Sequence, residues 1–127
     1  MTGIMQSMST NVRKPVVVSF TTVGSTTWTA PQRGTVTTDN DGSFDMNVTN
    51  NFKCTPTGTF ALTFTNITAG QSGYILLVNT SGYAVTAAAT TKVGTSFLAT
   101  ISTAGTYLIS YFTDGTNVYC TASGALS

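Results

Sequence analysis

From Pro15 onward the chain is cut by Gly, Asn and Asp into short runs of β-branched and aromatic residues. The runs recur at intervals of roughly 8 to 12 residues, a spacing that suits strands and leaves no room for amphipathic helices. Pro15–Phe20 and Ser25–Ala30 are the first two, the second stopped by Pro31. Gly34–Thr38 runs into Asp39–Gly42, a dense turn signal. Phe44–Val48 and Phe52–Cys54 are brief, and Thr59–Phe64 puts Phe60, Leu62 and Phe64 on one face by strict alternation. After the loop Ala69–Gly73 comes the continuous apolar strand Tyr74–Val78. Gly82–Thr86 and Ser96–Thr100 read as shorter strands.

The last third is the clearest. Gly105–Thr113 and Thr116–Thr121 flank Asp114-Gly115, a hairpin signal because Gly accepts positive φ without a Cβ penalty. Within the first arm Tyr107, Ile109 and Tyr111 alternate with Leu108, Ser110 and Phe112, so both faces are apolar and the strand is expected to be central and covered on both sides. The alanine run Ala87–Ala89 is bordered by threonines, whose β-branching weakens helix formation. The pattern predicts an all-β protein: a single antiparallel β-sandwich with negligible helix, a jelly-roll-like or barrel-like variant being the alternative. The β-domain is expected over residues 15–127, behind a short N-terminal arm, residues 1–14. Ile4, Met5 and Met8 could line one face of that arm, as a docking segment for a neighbouring subunit or as an ordinary loose start to the chain.

Composition then narrows function. The chain has no histidine and no glutamate, only 7% charged residues and a net charge of +1. Its ionisable inventory is Asp39, Asp41, Asp45, Asp114, Arg13, Arg33, Lys14, Lys53, Lys92, the tyrosines and two cysteines. Enzymes move protons with tuned groups of these kinds, and few are available here, so no enzyme activity is expected. At 41% hydrophobic the chain is too apolar for disorder. It offers no basic face for nucleic acid and no apolar run long enough for a spanning helix, so neither nucleic acid nor membrane is an expected partner. The N-terminus lacks the pattern of a signal peptide, which points to synthesis in the cytoplasm. Cys54 and Cys120 then read as buried thiols, a disulfide being the alternative.

Individual motifs are weak. Asp39–Gly42 with Asp45 lacks the register of a calcium loop, and two distant cysteines without histidine cannot close a zinc site, so no metal or cofactor is expected. Three of the four aspartates lie in one turn-rich stretch, which argues against the paired carboxyls of a glycosidase. Trp28 is either a core residue or an interface anchor. Tyr74, Tyr83, Tyr107, Tyr111 and Tyr119 are either cross-strand pairs or a carbohydrate-stacking surface.

Several stretches together carry a resemblance. Arg33–Thr38, Asp41-Gly42, Asn50–Phe52, Ala69–Gly73, Tyr107–Tyr111 and Asp114–Val118 resemble, in order, the β-domain of tailed-bacteriophage virion proteins. Phe20–Pro31 is similar to the entry strand of phage fibre domains, and Gly70-Gln-Ser-Gly73 precedes an apolar strand as it does in that family. The resemblance implies a non-catalytic virion structural protein, synthesised in the host bacterial cytoplasm and usually homotrimeric. Beginning at Met1 without a fibre stalk, the chain suggests a capsid decoration (cement) protein that meets the major capsid protein or another virion protein. The alternative is a tail-fibre or tail-tip module that binds a host glycan or receptor. The family's acidic-glutamine stretch after the apolar strand is replaced here by Val78–Gly82. Expected partner contacts are Ile4, Met5, Met8, Arg13, Lys14 and Trp28.

Overall fold

The computed structural model describes residues 27–127. Within it Arg33–Ser127 forms one compact unit. Nine strands and one short helix follow in chain order: β1 (Val36–Thr38), β2 (Ser43–Asp45), β3 (Asn51–Cys54), β4 (Phe60–Thr65), β5 (Ser72–Asn79), β6 (Val85–Ala87), β7 (Thr91–Val93), α1 (Phe97–Ile101), β8 (Gly105–Thr113) and β9 (Val118–Ala122). They build a six-stranded sheet, ordered β1-β3-β5-β8-β9-β7, and a three-stranded sheet, ordered β2-β4-β6. The protein is all-β, as the strand punctuation predicts.

The pairing differs from the expected antiparallel sandwich. β1, β3 and β5 pair in parallel, as do β2, β4 and β6, and β7 lies parallel to β9. Only the pairs of β8 with β5 and β9 are antiparallel. From β1 to β6 the chain alternates between the two sheets, so each strand pairs with the second one after it, in a solenoid-like winding. The physical reason lies at the corners. Asp41-Gly42 and Asp114-Gly115 share one dipeptide and one positive φ, 83° and 96° at the glycines. Asp114-Gly115 joins two long neighbouring strands into a hairpin. Asp41-Gly42 instead carries the chain out of β1 and across to β2 in the other sheet, with Gly42 pressed so closely on the Phe60 ring that a Cβ would collide with it.

One core fills the space between the sheets. Phe44, Leu62, Phe64 and Val85 from the small sheet meet Phe52, Cys54, Ile75, Leu77, Tyr107, Ile109 and Tyr111 from the large one. Aromatic contacts bridge the layers, Phe44 with Phe52 at 5.0 Å and Phe64 with Tyr111 at 5.1 Å between ring centroids. Leu62 and Phe64 point inward as their alternation requires, and Phe60 packs at the margin. Ser96–Thr100, expected as a strand, falls largely within α1 instead. Phe97 and Ile101, one helical turn apart, plug the end of the core, and that burial outweighs the weak helix propensity of the segment.

The Gly70–Gly73 run is a folding junction. The Gln71 side-chain amide donates to the Met46 carbonyl and to Asn50 Oδ1, both at 2.8 Å. Gly70 N–H donates to the Thr113 carbonyl at 2.9 Å, tying the loop to the end of β8. Gly73 sits where any Cβ would collide with the Asn50 carbonyl oxygen. At the far end of β5, Asn79 is 1% exposed and fully engaged. Its amide donates to the Tyr83 and Ile101 carbonyls at 2.9 and 2.8 Å, and its oxygen accepts the Tyr83 N–H at 2.9 Å.

Candidate functional site

Strand alternation decides what the six-stranded sheet shows on its outer face. Tyr107, Ile109 and Tyr111 turn to the core, so Leu108, Ser110 and Phe112 must turn away. β8 is central, as expected, but among the described residues no layer lies over its second face: Leu108 is 41% and Phe112 51% exposed. Tyr74 on β5, Tyr119 on β9 and Val36 on β1 extend the same surface at 53%, 45% and 62% exposure. Register fixes their neighbours. Leu76 lies opposite Leu108, and Phe112 lies opposite Tyr119. Val36, Asn51, Phe52, Tyr74, Leu76 and Leu108 line a shallow groove of about 330 Å³ on this face. Exposing several large apolar groups on one sheet face is characteristic of surfaces that something covers.

The carboxylates are engaged in turns. Asp41 Oδ1 accepts the Ser43 N–H at 2.7 Å. Asp45 Oδ1 accepts the Asn66 amide at 2.8 Å and the Asn47 N–H at 2.9 Å, and these bonds hold its carboxyl below the usual range. The Asn117 and Thr116 N–H groups do the same for Asp114, assisted by the Tyr119 hydroxyl. Asp39 moves the other way, raised by burial and by its hydrogen bond with the Asp41 side chain. Each carboxylate is thus a turn-former. Cys54 and Cys120 are free and buried, and burial pushes their thiols up to about 11 and about 12, which keeps them unreactive at neutral pH. Among the described residues no three His, Cys, Asp or Glu side chains come together. No helix among them is long and apolar enough to cross a membrane.

Of the contacts expected from the sequence, Ile4, Met5, Met8, Arg13 and Lys14 lie outside the described residues, as does the arm boundary at 14/15 and the strand expected at Pro15–Phe20. Trp28 is 66% exposed and has no strand around it among the described residues, which corrects its reading as a core residue. The five tyrosines do not share one surface, because Tyr107 and Tyr111 are inward and Tyr74 and Tyr119 outward. The outer groove was missed because two apolar faces on β8 read as a strand covered on both sides. The signal was present in β5, where Tyr74, Leu76 and Val78 repeat the same second apolar face.

Compared with known proteins, the chain matches no family model, no curated protein and no solved structure.

Proposed function

We propose that this chain is a non-catalytic structural protein of a bacteriophage particle, acting as a homotrimer and placed on the head as a capsid decoration protein. The observation that carries the reading is the apolar outer face of the six-stranded sheet, with Tyr74, Leu108, Phe112 and Tyr119 exposed. A domain of this size gains most from burying such a face between copies, the usual solution in symmetric oligomers. The carboxylates support the reading because turns and hairpins already use them. So does the Gly70–Gly73 junction, whose residues carry the sequence resemblance and prove to be architectural. In the head position Ile4, Met5 and Met8 meet shell subunits, with Arg13 and Lys14 facing shell carboxylates.

Imaging phage particles that carry a labelled copy of the chain tests the placement. Label distributed over the capsid is the expected result. Label at the distal end of the tail would replace the head with a tail-fibre or tail-tip role and make host glycan or receptor binding the next experiment. Absence from purified particles would overturn the virion reading altogether.

A further inference from the structure

We propose that a second copy of this chain fills the outer groove, inserting Phe112 and Tyr119 into the hollow between Val36, Tyr74, Leu76 and Leu108. The inference rests on the reading of the chain as an assembly protein and specifies how its copies meet.

The groove and the aromatic pair occupy different parts of one sheet face. Phe112 and Leu108 are four residues apart on β8, about 13 Å at the rise of an extended strand. The pair is built to protrude together, because Phe112 and Tyr119 are direct cross-strand neighbours and each is about half exposed. The hollow is apolar on its walls and measures about 330 Å³.

Charge points to the same occupant. Lys53 is exposed on β3 and lies opposite Leu76 in the register, so it stands on the same face beside a wall of the groove. Asp114 borders the aromatic pair, since its Oδ2 accepts the Tyr119 hydroxyl at 3.0 Å. Lys92, opposite Tyr119, turns its ammonium onto the Ala89 carbonyl at 2.7 Å. Seating the pair of one copy in the groove of the next therefore brings Asp114 toward Lys53. Unlike charges meet at the rim while apolar surface meets at the centre, the arrangement of a specific protein interface. A patch that fits a hollow elsewhere on an identical molecule makes a heterologous contact, which closes into a ring when the rotation allows.

Two outward-facing substitutions test this in the full-length chain, Leu108→Asp in the groove and Phe112→Asp in the aromatic pair. Far-UV circular dichroism and melting curves check that each variant is folded. Light scattering at about 100 µM is expected to show an oligomer for the wild type, a monomer for each variant alone, and a 1:1 dimer when the two are mixed. The mixture regains one contact because each variant keeps the half that the other lacks. Lys53→Glu, on the outward face of β3, is expected to weaken wild-type assembly about tenfold at low salt.

A mixture that stays monomeric, or a variant that keeps the wild-type mass, would overturn the groove contact while leaving a homo-oligomeric structural protein intact. An unchanged affinity in Lys53→Glu would overturn the charge pairing that selects the occupant. A wild-type chain monomeric at this concentration would overturn both the contact and the trimer. A wild-type dimer with the same mixing behaviour would support the contact and replace three-fold by two-fold symmetry.

Discussion

The phenolic hydroxyl of Tyr111 donates to the main-chain carbonyl of Asn50 at 2.7 Å, joining residues 61 apart in the chain. That carbonyl also accepts the Tyr74 N–H at 3.1 Å. The approach is possible because residue 73, between β5's first residue and Tyr74, is a glycine. A late strand, β8, thus locks the entry to an early one, β3, and the winding is held at a point that local sequence preferences do not control.

Gly73→Ala is expected to cost about 3 kcal/mol or more, because the added methyl group meets backbone and the Tyr111 hydroxyl together. Tyr111→Phe removes only one of two donors to the Asn50 carbonyl and should cost about 1 kcal/mol. Urea denaturation of the two variants checks the order. Equal costs would mean that the junction tolerates the methyl group.

Asn79 makes the second such lock. Asn79→Ala leaves the Tyr83 N–H and the Ile101 carbonyl without partners in a buried site, and about 3 kcal/mol is the expected loss. Ile101 closes the helical turn, so hydrogen exchange in Phe97–Ile101 should quicken more than in β8. A variant with wild-type stability would show that water replaces the amide.

What the residues disclose and what they withhold can be set side by side at the two Asp-Gly corners. Strand positions were legible from alternation, as in Phe60–Phe64, and from long apolar runs, as in Gly105–Thr113. Turn positions were legible from Gly, Asn and Asp. Pairing was not, because Asp41-Gly42 and Asp114-Gly115 signal a reversal equally well and only tertiary packing decides which sheet receives the next strand. The helix at Phe97–Ile101 was hidden for a similar reason, since its two apolar residues fit a helical turn or a strand end. For the outer face, the residues announced apolar character in Leu108 and Phe112, but whether a surface is covered is a property of the assembled layers.

Stability should be level between about pH 5 and pH 8, because there is no histidine to titrate and the depressed carboxyls of Asp45 and Asp114 stay ionised. Above about pH 9 it should fall. Cys54, Cys120 and Tyr111 have folded-state values of about 11, about 12 and about 12, all raised chiefly by burial. Raised values mean that the folded chain keeps protons the unfolded chain has already lost, so stability is full below the unfolded values and declines as pH rises toward the folded ones. For Asp45 and Asp114 the sign reverses: their depressed carboxyls contribute stability above about pH 4 that disappears in acid, while Asp39, raised, works weakly against them. Melting temperature against pH checks both limbs, and a curve level up to pH 11 would contradict the buried state of the thiols.

The assembled state carries the account. Multi-angle light scattering on the full-length chain at about 10 µM reads it directly, against a chain mass of 13.2 kDa. A species of about three chain masses is the predicted result, with the outer aromatics Tyr74, Phe112 and Tyr119 withdrawn from solvent. A single-chain mass at this concentration and at tenfold higher would contradict it.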